Sequence, residues 1–127
     1  MPRYFTPYEA NAVLDEIRPL MEEVVRIRME IQARQPDLWP AIQGAVGNGG
    51  SAALSKLFVE FERLDTLVHR IQATGVHIKD LNLGLMDFPA LRQGREVYLC
   101  WRFGEERIEF WHELDSGFAN RQTIDWE

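Results

Sequence analysis

The sequence predicts an α+β fold in which a long antiparallel helical hairpin packs on a small antiparallel meander sheet of three to four strands. One supporting observation is that apolar residues recur at alternating spacings of three and four along two long segments, as in helices that pack along each other. A second is that the pattern changes to a period of two after Gly75, with short turn sequences between the runs. Because 127 residues are the length of one domain, we expect a single α+β domain over residues 1–127.

The first helix is predicted over residues 7–35. Thr6 is a good capping residue, Pro7 suits the first helical position, and Glu9 completes a capping box. An apolar seam follows at helical spacing, formed by Val13, Ile17, Leu20, Val24, Ile27 and Ile31. Pro19 interrupts the backbone hydrogen bonds but not the seam, so we expect the helix to kink there rather than to end.

The second helix is predicted over residues 51–74, with Gly75 at its C-terminal cap. Its seam consists of Leu54, Leu57, Phe61, Leu64, Val68 and Ile71. The connection over residues 36–50 is rich in Gly and Pro. It lacks the Lys-Ser/Thr ending and the preceding strand of a phosphate-binding loop, so we interpret it as a linker.

The sheet region is predicted over residues 76–113 and is followed by a tail over residues 114–127. Alternating residues predict strands at 85–91, 95–103 and 107–113, with a possible short strand after Gly75. Gln93-Gly94 and Glu105-Glu106 are predicted to be the tight turns between the three longer strands.

Matching apolar faces predicts the strand register. Across the first turn Arg92 pairs with Arg95, which places Asp87 opposite Cys100. Across the second turn Gly104 is expected to pair with Arg107. That pairing directs His112 to the apolar face beneath the helices. It places Trp111 on the other face with Asp87 and Cys100, and sets Arg102 beside Glu109.

His112 is the leading candidate for chemistry, with Asp115 and Asp87 as further candidate catalytic residues. A histidine at a core edge near carboxylates can act as a general base or a metal ligand, or it can cap the core by bonding a backbone carbonyl. The predicted register places Asp87 on the opposite sheet face. No set of three ligands results, so we predict no metal site and leave any cofactor unknown.

Other polar residues give weaker signals. Cys100 is interpreted as a buried structural thiol, because the neighbouring carboxylate raises the pKa of a thiol and only Arg102 opposes it. Asp65 and His69 are predicted to form an exposed pair one helical turn apart. Basic residues near the sheet rim either bind an anion or form surface pairs. The candidate ligand-binding residues are Arg95, Arg121, Arg102, Trp111 and Tyr98, with Lys79 also at the rim.

Charge and composition exclude several classes of protein. Fourteen Lys and Arg against twenty Asp and Glu give a net charge of −6. This balance disfavours nucleic acid and anionic membrane surfaces as partners. The longest apolar runs are too short for a membrane helix, which needs about 20 residues, and the N-terminal segment lacks the apolar core of a signal peptide. We therefore expect a cytoplasmic protein.

Several motifs together resemble a known family. They are Tyr4-Phe5-Thr6-Pro7 with Glu9-Ala10-Asn11, Gly84-Leu85 with Asp87-Phe88-Pro89-Ala90, Gly94-Arg95-Glu96-Val97-Tyr98-Leu99-Cys100-Trp101, Trp111-His112-Glu113, and Gly117-Phe118. Over nearly the whole chain the sequence is similar to the bacterial domain of unknown function family 2203. The resemblance implies a small, soluble bacterial protein and carries no activity, cofactor or catalytic residue with it.

The relative lengths of the elements predict a homodimer. Helices of this length reach about 40 Å, whereas strands of about seven residues span about 23 Å. The part of the apolar seam beyond the sheet is expected to pair with a second copy in a four-helix arrangement. We therefore predict a dimeric, non-enzymatic interaction or scaffold protein with a possible protein partner. The alternative is a small-ligand-binding protein or enzyme whose site at the sheet rim combines His112, Asp115, Arg95 and Arg121, with Asp87.

Overall fold

The structure, a computed structural model, describes residues 3–34, 36 and 52–127. It contains two long helices and a five-stranded antiparallel sheet, which confirms the predicted α+β class. The helices are α1 (Pro7–Ala33) and α2 (Ala52–Gln72). The strands, in spatial order, are β1 (His77–Asp80), β2 (Leu85–Arg92), β3 (Arg95–Arg102), β4 (Phe110–Glu113) and β5 (Gln122–Thr123). Apart from Pro36, the predicted connection at 36–50 lies outside the described residues.

The sheet has five strands rather than the three to four predicted. The additional strand, β5, comes from the predicted tail and pairs with β4, with Thr123 opposite Phe110. The Ile124 N–H continues this pairing by donating to the Glu109 carbonyl at 2.9 Å. A strand of two residues is too short to produce a detectable alternation in the sequence, which explains why it was not predicted.

The chain divides into two compact bodies. One comprises residues 1–21 and 70–127, and the other residues 22–69. In the first body, the predicted capping box at the start of α1 is confirmed. The Glu9 N–H donates to the Thr6 hydroxyl at 3.1 Å, and the Thr6 N–H donates to the Glu9 carboxylate at 3.0 Å. Fully buried apolar side chains form the core of this body, among them Leu14, Ile17, Ile71, Met86, Phe88, Val97, Leu99 and Trp101.

The β2–β3 hairpin has the predicted register. Arg92 lies opposite Arg95, and Asp87 lies opposite Cys100. Both turn residues have positive φ, 53° at Gln93 and 78° at Gly94. A two-residue turn of this type matches the twist of the strands it joins, so it fixes which residues pair.

The predicted β3–β4 register is wrong by one residue. Leu99 lies opposite Trp111, and Cys100 lies opposite Phe110. No tight turn forms at Glu105-Glu106, and β4 begins at Phe110 rather than at 107. The backbone before β4 is bonded to α1 instead of to β3. The Asn11 side chain accepts from the Ile108 N–H at 2.8 Å and donates to the Ile108 carbonyl at 3.2 Å.

This shift exchanges the two faces of β4. Because successive side chains alternate across a strand, His112 lies on the same face as Asp87 and Cys100, which we call the outer face. The predicted direction of His112, towards the apolar face, is therefore wrong, and Trp111 lies on the inner face across from Leu99. The predicted pairing of Arg102 with Glu109 is also absent, since β4 does not extend to residue 109.

In the second body, α1 and α2 are joined by ion pairs. Arg63 makes two hydrogen bonds of 2.9 Å to the Glu23 carboxylate, and Arg34 binds Glu60. Glu60 and Leu67 are buried on α2, whereas Phe61, predicted to lie in the seam, is half exposed. The Arg34 guanidinium explains how a carboxylate comes to occupy a buried position on this helix.

Among the residues that the structure describes, neither helix is long and apolar enough to cross a membrane. Where the protein resides in the cell stays a prediction from the sequence.

Candidate functional site

Three chemically different side chains meet on the outer face of the sheet. Asp87 lies directly opposite Cys100, while His112 lies opposite Tyr98 and therefore diagonal to Cys100. All three are buried, with exposed fractions of 3% for Asp87, 2% for Cys100 and 3% for His112. A carboxylate oxygen, the thiol sulfur and a ring nitrogen lie within 4.8 Å of one another.

Both ring nitrogens of His112 have partners. Nδ1 lies 2.8 Å from the Glu113 carbonyl oxygen, and Nε2 lies 3.0 Å from Oδ1 of Asp87. A carbonyl oxygen only accepts, so Nδ1 carries the proton. In the neutral form of this ring, the lone pair of Nε2 points at a carboxylate oxygen. Two acceptor atoms this close need a proton or a cation between them.

This geometry disfavours His112 as a general base. A general base needs a free ring nitrogen within hydrogen-bond reach of the substrate proton, and both nitrogens of this ring are in use. The same geometry suits a metal ligand. Histidines that bind metals donate their other ring N–H to a carbonyl or carboxylate, which fixes the tautomer and the ring orientation. The contact of Nδ1 with the Glu113 carbonyl is of this kind.

Cys100 is a protonated thiol in this environment. Burial, reinforced by the Asp87 carboxylate, raises the pKa of Cys100 to about 12. The nearby Arg121 guanidinium acts in the opposite direction, a role that the sequence assigned to Arg102. Since the thiolate is the nucleophilic form, Cys100 is a poor nucleophile at neutral pH. A bound metal ion would displace this proton, as it does at other thiolate sites.

The spacing of two of the three side chains can be compared with that of a metal site. Nitrogen and oxygen ligands about 2.0–2.2 Å from a tetrahedral zinc ion are roughly 3.3–3.6 Å from each other, by the geometry of such sites. The separation of 3.0 Å between His112 Nε2 and Asp87 Oδ1 is somewhat shorter. The Cys100 sulfur lies within 4.8 Å of both atoms, so the three side chains form a group that could hold one metal ion.

A cavity of about 210 Å³ adjoins these three side chains. Its other walls are Lys79, Leu85, Leu114, Ser116, Gly117 and Phe118. The Lys79 ammonium lies 5.0 Å from the centre of the Tyr98 ring. The segment that connects β4 to the 3₁₀ helix at Phe118–Asn120 thus forms one side of the cavity, and the sheet forms its floor.

Two of the predicted ligand-binding residues lie near the cluster. The Tyr98 ring contacts the His112 ring, with centroids 5.6 Å apart. The Arg121 guanidinium makes two hydrogen bonds of 2.9 Å to the Glu105 carboxylate and stacks on Phe118. The Glu105 carboxylate therefore already compensates the charge of Arg121. Arg121 affects the site by lowering the pKa of Cys100, against the effect of burial.

The structure does not bring the other predicted residues to the cluster. Arg95 forms an ion pair with Glu113 on the inner face. Arg102 is exposed, with its guanidinium over the Phe118 ring, and Asp115 is exposed in the turn after β4. Trp111 packs against Trp126, with ring centroids 5.8 Å apart.

Two further expectations concern residues near or outside the site. Asp65 and His69 form the expected exposed pair on α2, with His69 Nδ1 3.4 Å from Oδ1 of Asp65. The sequence analysis did not include Cys100 among the candidate site residues, although the pairing of Asp87 with Cys100 was predicted correctly. It also missed the cavity wall at residues 114–118, where no periodic pattern is present.

Comparison with known proteins identifies the family. No curated protein and no solved structure matches the chain significantly. One family model matches residues 3–124, and it is described as an uncharacterized conserved protein, DUF2203. Because this match covers almost the whole sequence, including every residue of the cluster and its cavity, the chain belongs to the DUF2203 family.

Proposed function

We propose that this protein binds one divalent transition-metal ion, with Zn²⁺ as the best fit, through His112, Cys100 and Asp87, and that the ion forms the centre of a small-ligand or catalytic site. This is the ligand-binding or enzymatic alternative, with Cys100 taking the place of Arg95, Arg121 and Asp115. The observation that carries it is the convergence of three buried ligand atoms within 4.8 Å.

The chemistry of the donor set supports zinc over magnesium or calcium. Imidazole nitrogen and thiolate sulfur suit Zn²⁺, whereas Mg²⁺ and Ca²⁺ prefer sites made of oxygen ligands. Structural zinc sites use four protein ligands, and catalytic ones use three and keep the fourth position open. Three protein ligands beside a cavity match the second pattern, so the open position would face the cavity lined by Lys79 and Phe118.

Metal titration tests this proposal. Chelator-treated protein, titrated with Zn²⁺ in competition with a chromophoric chelator, is expected to bind one ion per chain. With Co²⁺ in place of Zn²⁺, a sulfur-to-cobalt charge-transfer band is expected. Cys100 is the only cysteine in the chain, so this band reports on one residue. The band should disappear in Cys100→Ala, with circular dichroism confirming that the variant folds. Failure of the folded wild-type protein to bind Zn²⁺ would contradict the proposal.

As a second candidate function, we propose that two copies associate through α2 to give the dimeric interaction or scaffold protein expected from the sequence. The supporting observation is that Phe58 and Phe61 are 66% and 50% exposed and lie three residues apart on one side of the helix. A second copy related by a twofold axis presents the same apolar pair, so self-association can remove both phenylalanines from water.

Solution mass tests the dimer. At micromolar concentration the wild-type protein is expected to sediment as two chains. The double substitution Phe58→Glu and Phe61→Glu is expected to raise the dissociation constant more than about tenfold, because it places like charges in the apolar contact. Leu83→Glu, at an apolar residue of the first body that is similarly exposed, is the matched control and should leave the mass unchanged. A wild-type mass equal to one chain would rule out this interface.

A further inference from the structure

We propose that the cavity over the metal site binds a small organic anion, a short-chain carboxylate, whose charged group lies between the open metal position and the Lys79 ammonium. This inference rests on the proposed metal site and names the class of ligand that the site takes.

The charge balance of the site calls for an anion. The Asp87 carboxylate and a Cys100 thiolate together neutralise a divalent ion. The charge of Arg121, the nearest guanidinium, is matched by the Glu105 carboxylate. Lys79 lines the same cavity, and no carboxylate within residues 3–34, 36 and 52–127 lies at ion-pair distance from it. Within the described part of the chain, the ammonium of this exposed lysine lies over the Tyr98 ring at 5.0 Å, so one positive charge remains beside the cavity.

The size and the lining of the cavity limit which organic group the anionic ligand can carry. A volume of about 210 Å³ equals that of roughly seven waters at about 30 Å³ each. Nucleotides and peptides are larger than this. Leu85, Leu114 and Phe118 give the walls an apolar character, which suits the hydrocarbon part of a short carboxylate better than it suits inorganic phosphate.

Butyrate, added to the Co²⁺-loaded protein, is the probe that tests the inference. Butyrate is expected to change the cobalt ligand-field spectrum in a saturable way, and butyramide, which has the same shape but no charge, is expected to leave it unchanged. In Lys79→Met the dissociation constant for butyrate is expected to rise about tenfold, while the affinity for Zn²⁺ stays the same. Lys56→Met, at the only other lysine of the chain, is the matched control and should bind butyrate like the wild type.

Each possible outcome decides the question. Equal binding of butyrate and butyramide, or unchanged butyrate binding in Lys79→Met, would overturn the anion site and leave the metal site intact. Tighter binding of inorganic phosphate than of butyrate would overturn the carboxylate class in favour of a phosphate ligand. Failure of the protein to take up Co²⁺ or Zn²⁺ is visible before any butyrate is added, and it would overturn the metal site and the anion site together.

Discussion

Replacing His112 with alanine is expected to weaken Zn²⁺ binding by more than about 100-fold. Loss of a hydrogen-bond partner behind a metal ligand already costs about 10- to 100-fold in affinity, and His112 is itself a proposed ligand. The variant also leaves Asp87 without the ring nitrogen that lies 3.0 Å from its carboxylate. The measurement is a competitive titration with Zn²⁺ and a chromophoric chelator.

Two further variants make this result specific. His69→Ala removes a histidine that, like His112, has an aspartate partner, Asp65. His69 lies exposed on α2 and is not part of the cluster of proposed ligands. It should retain wild-type Zn²⁺ affinity. Asp87→Asn keeps the shape of a buried side chain and removes its charge, so it should weaken Zn²⁺ binding in a protein that remains folded. Wild-type affinity in both His112→Ala and Asp87→Asn would exclude this site.

Replacing Asn11 with alanine is expected to lower the free energy of unfolding by about 2–4 kcal/mol. The Asn11 side chain satisfies both backbone groups of Ile108, a residue that is 3% exposed. Each buried polar group left without a partner costs about 1–3 kcal/mol. The measurement is urea denaturation monitored by tryptophan fluorescence.

Asn11→Asp tests the donating amide of this side chain. It keeps an oxygen that accepts from the Ile108 N–H, but it replaces the amide that donates to the Ile108 and Pro7 carbonyls with a carboxylate oxygen, which cannot donate. We expect it also to lower the free energy of unfolding, by at least about 1 kcal/mol. If both variants unfold within about 0.5 kcal/mol of the wild type, the Asn11 side chain does not hold the segment before β4.

The sequence predicted the elements that depend on neighbouring residues. The capping box of Thr6 and Glu9 marks the start of α1, and the turn at Gln93-Gly94 fixes the β2–β3 register. In each case the residues that determine the structure are adjacent in the chain. Both could therefore be identified from local sequence alone.

The β3–β4 register depends on a contact between distant parts of the chain. Asn11 and Ile108 are 97 positions apart. Face matching favoured Ile108 as a strand residue paired with β3, because no local signal shows that its backbone is bonded to a helix. A one-residue error in register moves every side chain of the strand to the other face. His112 was accordingly assigned to the face opposite Asp87.

The candidate site was predicted in part for the same reason. The pairing of Asp87 with Cys100 follows from the β2–β3 hairpin and was predicted, whereas the approach of His112 follows from β4 and was not. The cation that influences Cys100 is Arg121, from the segment before β5, rather than Arg102 from the same strand. That segment has no periodic pattern from which its return to the sheet could be predicted.

The α2 seam illustrates a different limit. Apolar periodicity selected Phe61 and Val68, whereas the buried positions include Glu60 and Leu67, one residue earlier. A periodicity argument rejects a glutamate at a buried position. Arg34, from the other helix of the pair, supplies the charge that allows the glutamate to be buried there.

Anomalous X-ray scattering at the zinc absorption edge, from crystals grown with Zn²⁺, tests the metal site most directly. We expect one strong peak on the outer face of the sheet, within about 2.0–2.3 Å of His112 Nε2, Asp87 Oδ1 and Cys100 Sγ. Zinc-grown crystals with no peak there, and with His112 and Asp87 still joined by their direct hydrogen bond, would show that the three side chains form a buried polar cluster and not a metal centre.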